Sequence, residues 1–120
     1  MKIKYKLRKV WRKFATNNTR NIDSIREIDY ENLKKLIEFE KDLKIVDIRS
    51  PQEFEERRIR YAINIPLYDL NKKATYMLPD KNKIIILYCG CGIRSKKAYK
   101  ILEKMGYTNL YSLKGGISDI

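Results

Sequence analysis

The 120-residue chain contains no histidine, which excludes every catalytic pair built on an imidazole, Cys-His and Ser-His alike. Its only cysteines are Cys89 and Cys91, separated by a single glycine. Two sulfurs so close in sequence cannot supply the four ligands of a structural zinc site. Nor can they staple distant segments, as the disulfide framework of a small secreted domain would require. A reducing cytosolic setting with free, reactive thiols is the simpler expectation, with no metal and no cofactor. No stretch approaches the roughly 18–20 apolar residues of a membrane-spanning helix. The basic N-terminus also lacks the uninterrupted apolar segment of a secretory signal.

What is present suits one compact domain: 43% of the residues are apolar, enough for a real core. The net charge of +12 is unevenly placed. Residues 1–22 hold eight of the 27 basic groups (Lys2, Lys4, Lys6, Arg8, Lys9, Arg12, Lys13 and Arg20) and no acidic one, which leaves 19 basic against 15 acidic groups elsewhere. The sequence therefore divides into a basic extension and linker, 1–22, and a domain, 23–120. On a helix, Ile3, Leu7, Val10, Trp11 and Phe14 would share one side among the cations, the pattern of a helix lying on an anionic membrane surface. A disordered tail or an organelle-targeting segment would look similar. No aromatic platform or groove-reading motif accompanies the charges, so no specific nucleic acid is expected.

From Ile25 onward, short β-rich runs alternate with helical stretches. Strands are expected at 25–28, 44–48, 62–65, 83–88 and 109–113. Asp29 can cap a helix with Leu33, Leu36 and Ile37 on one face. Ser50-Pro51-Gln52-Glu53 reads as a capped helix start with proline in the first turn. Residues 67–78 suggest a short helix or ordered loop. Ser95 to Met105 carries Ala98, Ile101, Leu102 and Met105 on one face and stops at Gly106. The run 83–88, the most hydrophobic in the chain, suits a strand buried on both faces. Alternation of this kind implies an α/β fold with a mostly parallel sheet, and sites in such sheets form beyond the carboxyl ends of the strands.

The segment leaving that central strand is Cys89-Gly90-Cys91-Gly92-Ile93-Arg94, and it leads straight into a helix at Ser95. Backbone N–H groups of such a loop, together with the positive end of the helix dipole, favour an anion at its centre. A cysteine that opens the loop places its sulfur there, so thiolate becomes available without a base. Gly90 and Gly92 are expected to let the backbone turn tightly.

Tyr88-Cys89-Gly90-Cys91-Gly92-Ile93-Arg94-Ser95 resembles the Cys-x-x-Gly-x-Arg-Ser signature of single-domain rhodanese-like sulfurtransferases. Val46-Asp47-Ile48-Arg49, Glu53-Phe54, Ala62-Ile63-Asn64-Ile65-Pro66, Gly106-Tyr107 and Leu113-Lys114-Gly115-Gly116 fall where that family has its other motifs. The likeness covers about residues 25–120. It implies a rhodanese-like three-layer sandwich around an about five-stranded sheet. It also implies a cysteine at position 89 that accepts a sulfane sulfur as a persulfide, cradled by the loop amides, and passes it to a thiophilic acceptor. Phosphatase relatives of the fold use a loop one residue longer between cysteine and arginine, and the four residues between Cys89 and Arg94 match the sulfurtransferase size.

The same resemblance assigns supporting roles. Arg94 would close the loop through an internal carboxylate such as Asp47, and Asp47 and Arg49 would be supports rather than reactants. Where the family carries Gly-His-Ile-x-Gly, this chain has Arg57-Arg58-Ile59-Arg60-Tyr61, so both glycines and the histidine are gone. Ile120 stands where a tryptophan often follows the final glycines. Arg57, Arg58 and Arg60 either line the cleft and attract anionic donors such as thiosulfate or are a solvated helix end. Cys91 is an incidental loop residue, a second sulfur acceptor or a regulatory partner of Cys89. The expectation is a monomeric cytoplasmic sulfurtransferase, membrane-associated if residues 1–22 bind lipid, working between a small sulfur donor and a thiol or cyanide acceptor. A catalytically idle rhodanese-like binding or regulatory module is the alternative.

Overall fold

The computed structural model describes residues 25–120. Five parallel strands form one sheet: β1 (Glu27–Ile28), β2 (Lys44–Asp47), β3 (Ile63–Asn64), β4 (Ile85–Tyr88) and β5 (Leu110–Leu113), in the spatial order β1-β5-β4-β2-β3. Parallel neighbours need crossovers, and four α-helices help supply them: α1 (Tyr30–Phe39), α2 (Pro51–Glu56), α3 (Leu70–Met77) and α4 (Ile93–Lys104). All five expected strands form, but shorter than the β-rich runs suggested; β1 keeps only two residues of 25–28. The stretch 67–78 resolves into a 3₁₀ turn, Leu67–Asp69, running into α3.

Local signals explain the helix starts. The Asp29 carboxylate accepts from the Asn32 N–H at 2.8 Å. Ser50 and Glu53 complete a reciprocal capping box with Pro51 in the first turn, which satisfies amides that the helix itself leaves unpaired. α4 begins at Ile93, two residues before the expected start, because Gly92 with φ 103° turns the chain directly into it.

Both faces of the sheet are covered. On one, Leu33 and Leu36 of α1 pack against Ile45, Ile86, Tyr88, Tyr111 and Leu113. On the other, Ala74 of α3 and Ala98, Tyr99 and Leu102 of α4 pack against Val46, Ile85, Leu87 and Leu110. Every residue of β4 is fully buried, as the apolar run required. Each such Leu or Ile contributes about 1.5–3 kcal/mol by leaving water. Among the described residues no helix is long and apolar enough to cross a membrane.

Candidate functional site

Strand alternation places the Cys89 sulfur. Ile85 and Leu87 point to the α3/α4 side, so Cys89, two residues on, points there too and joins the same apolar cluster. The ladder ends where Ile48 N–H meets the Tyr88 carbonyl at 3.0 Å. The chain then leaves the sheet beneath the first turn of α4. Cys89 is only 1% exposed, and its Sγ accepts from the backbone N–H of Gly92 at 3.0 Å and of Ser95 at 3.4 Å. Gly92 offers no side-chain cap, so sulfur takes the place a capping oxygen would fill. Amides and helix dipole together make the spot favourable for negative charge.

Two serines support this pocket. Ser95 Oγ lies 3.7 Å from Cys89 Sγ, donates to the Gly92 carbonyl at 3.1 Å and shares a 2.7 Å hydrogen bond with Ser112 Oγ. Both serines are fully buried. Ser112 escaped the sequence reading; its signal was a polar residue between Tyr111 and Leu113 on an otherwise apolar strand.

The loop is clamped from both flanks. On the β5 side, Ile117 N–H donates to the Cys89 carbonyl and Ser118 N–H to the Gly90 carbonyl, both at 2.9 Å. Gly116 passes so close that a Cβ there would lie 2.6 Å from the Cys89 oxygen and would also strike the Gly90 carbonyl. On the β2 side, Arg94 makes a two-pronged pair with Glu53, Nη1 to Oε1 at 2.8 Å and Nη2 to Oε2 at 3.0 Å. Hydrogen bonds from Arg94 push the Glu53 carboxyl down to about 2, and Glu53 in turn raises Arg94.

Two sequence expectations need correction here. Arg94 does not close onto Asp47, because that carboxylate is already engaged. Asp47, fully buried, accepts from the Arg49 backbone N–H at 2.9 Å and from the Arg49 guanidinium at 2.7–3.2 Å. Burial works against charge on Arg49, but its hydrogen bonds to Asp47 and the charge of that nearby carboxylate outweigh it and hold the guanidinium above its ordinary value. Gly90, moreover, is not among the residues with positive φ, and a Cβ there would meet only Arg94 Nη2 at 3.5 Å. Of the two loop glycines, the turn itself requires only Gly92.

Asn64, in the third strand motif, ties the Asp47–Arg49 corner by donating to the carbonyls of both residues at 2.9 Å. Tyr88 Oη accepts from Ile59 N–H at 3.1 Å, and burial pushes its phenol far up, so it remains a neutral support. Arg57, Arg58 and Arg60 are all exposed where α2 ends. Arg57 donates to the Ile120 carbonyl at 2.7 Å, Arg58 lies over the Phe54 ring and Arg60 over the Tyr61 ring. Tyr61 occupies the place of the second lost glycine and keeps a glycine-like φ of 70°, the one non-glycine residue with positive φ among those described.

The geometry thus defines a three-layer α/β domain with a cysteine held at an anion-favouring loop. The rhodanese-like domain family matches residues 29–120, and the chain belongs to that family. It is 37% identical over 75 residues to the thiosulfate sulfurtransferase PspE of Escherichia coli (strain K12), a match spanning 62% of this chain and 71% of that one. It is 31% identical over 93 residues to a sulfurtransferase of Allochromatium vinosum, spanning 78% of this chain and 85% of the relative. The solved structure of a rhodanese with anions from E. coli aligns with a TM-score of 0.60 at 36% identity, over 65% of this chain and 91% of that chain. Some matched relatives are longer, the chain spanning 60% of one and 56% of another.

Proposed function

We propose that the protein is a sulfurtransferase that moves a sulfane sulfur from a donor such as thiosulfate to a thiol or cyanide through a persulfide on Cys89. The observation that carries this reading is the position of Cys89 Sγ, 3.0 Å from the Gly92 N–H and 3.4 Å from the Ser95 N–H at the start of α4. The Cys89 thiolate attacks the outer sulfur of thiosulfate. The donor S–S bond breaks and sulfite leaves with its electron pair. The acceptor then attacks the outer sulfur of the persulfide, and Cys89 leaves as thiolate, again stabilised by the loop amides. No imidazole takes part, since the chain has none. Exposed Arg57, Arg58 and Arg60 attract the anionic donor toward this end of the sheet. Relatives named for sulfur transfer support the reading.

Thiosulfate-to-cyanide turnover tests the proposal. Cys89→Ser should lose at least ~10³-fold in rate, because a hydroxyl in the same place forms no persulfide. Equal turnover by that variant would refute the role of Cys89. Normal folding with no sulfur taken from any donor would favour an idle binding module instead. Residues 1–22, by their charge and apolar stripe, are proposed to hold the protein at anionic membrane surfaces rather than to act in catalysis.

A further inference from the structure

Sulfur transfer through Cys89 leaves one nucleophile of the loop unused. Cys91 is a free thiol like Cys89, but it is exposed where Cys89 is buried. Beside it, Ile93 stands 65% exposed, so this rim of the loop faces solvent while the reacting sulfur lies inside. Cyanide or thiosulfate can reach a buried sulfur. A cysteine on a folded protein is carried by backbone and neighbours that cannot follow it into the loop.

We propose that Cys91 is a second catalytic thiol, which takes the sulfane sulfur from Cys89 and presents it to cysteines of acceptor proteins. The proposal rests on the sulfurtransferase reading above. The geometry favours a relay over a disulfide. Across one intervening residue the two Cα atoms are at most about 7 Å apart. A disulfide needs the sulfurs at about 2.05 Å, with both Cβ atoms drawn together in a tight ring, and Cys89 Sγ would have to leave its two amide donors. A sulfane sulfur already on Cys89 bridges the gap. Cys91 Sγ then needs only to come within bonding reach of that outer sulfur, with the two Sγ atoms roughly 4 Å apart.

In the step itself, the Cys91 thiol gives its proton to the outer sulfur of the anionic Cys89 persulfide, and the resulting Cys91 thiolate attacks that sulfur. A Cys91–sulfur bond forms and the Cys89–sulfur bond breaks. Its electron pair stays on Cys89 Sγ, which returns as thiolate to the Gly92 and Ser95 amides. The proton travels with the transferred sulfur, total charge is unchanged and no oxidant or reductant is needed. The same amides favour sulfur leaving from Cys89 as an anion. The exposed Cys91 persulfide is drained by attack of an acceptor cysteine, with Cys91 leaving as thiolate.

The test uses the full chain loaded with thiosulfate and two acceptors side by side: cyanide, and maltose-binding protein carrying one engineered surface cysteine. In Cys91→Ser and in Cys91→Ala, the rate to the protein cysteine divided by the rate to cyanide should fall at least about tenfold relative to the unaltered chain. Fragment-ion mapping after rapid alkylation should find part of the sulfur on Cys91 in the unaltered chain and none on Cys91 in Cys89→Ser. An unchanged ratio in both Cys91 variants, with sulfur confined to Cys89, overturns the relay while leaving the sulfurtransferase reading intact. Sulfur on neither cysteine overturns both.

Discussion

Gly116 offers a sharp test of how the Cys89 loop is held, because its backbone serves where no side chain can. Its φ of 65° and ψ of −168° lie in a region open almost only to glycine, and an alanine there costs about 1–3 kcal/mol in backbone strain. The added Cβ would sit 2.6 Å from the Cys89 carbonyl oxygen and closer still to that of Gly90. Both are backbone atoms, fixed by the Ile117 and Ser118 amides at 2.9 Å, so neither can swing aside. Relieving the overlap adds about 1–3 kcal/mol. Gly116→Ala should therefore destabilise by roughly 3 kcal/mol, which lowers Tm by about 12–24 °C in a domain of this size. Gly90→Ala is the matched control: its Cβ meets only Arg94 Nη2 at 3.5 Å, an ordinary contact, so its stability should stay within about 0.5 kcal/mol. Urea and thermal melts of the two variants give the comparison. A Gly116→Ala protein as stable as Gly90→Ala would refute the clamp.

Further outcomes follow from the same geometry. Tyr61→Gly should be at least as stable as the unaltered chain and Tyr61→Val less stable by about 1–2 kcal/mol, since φ 70° suits glycine and opposes a β-branched residue; urea melts in the opposite order would contradict the strain. Glu53, held at about 2 against an ordinary 4.5, contributes stability that is complete above about pH 4.5 and is lost as pH falls toward 2. Because the pair is 36% and 41% exposed, that contribution is about 0.5–1 kcal/mol. Glu53→Gln should lack this acid-side loss, so parallel stability curves from pH 4.5 to 2 would show that the pairing does not matter. A chain starting at Asp23 should melt and transfer sulfur like the full chain yet lose affinity for anionic vesicles; loss of folding would make residues 1–22 part of the domain.

The fold was legible because its signals are local and repeated. The length and β-branched content of the run 83–88 suited a strand buried on both faces, which Ile85-Ile86-Leu87-Tyr88 forms, and Asp29 and Ser50 mark their helix starts by capping chemistry. The position of Cys89 followed from the strand before it and the helix after it. Partner choice among charges was not legible. Asp47 and Glu53 lie six residues apart in one segment and both carry carboxylates, and only the fold shows that Arg49 bends back onto the first and leaves the second to Arg94. Ser112 was hidden because its role depends on a helix 17 residues earlier in the chain. The lost glycine at Tyr61 was visible, but not that the backbone would keep the glycine conformation without it.

The most direct measurement is the mass of the purified full chain after thiosulfate and after subsequent cyanide. The account predicts a gain of about 32 Da, one sulfur atom as persulfide, which cyanide removes, and no gain in Cys89→Ser. An unaltered mass in the native protein, or the same gain in Cys89→Ser, would contradict it.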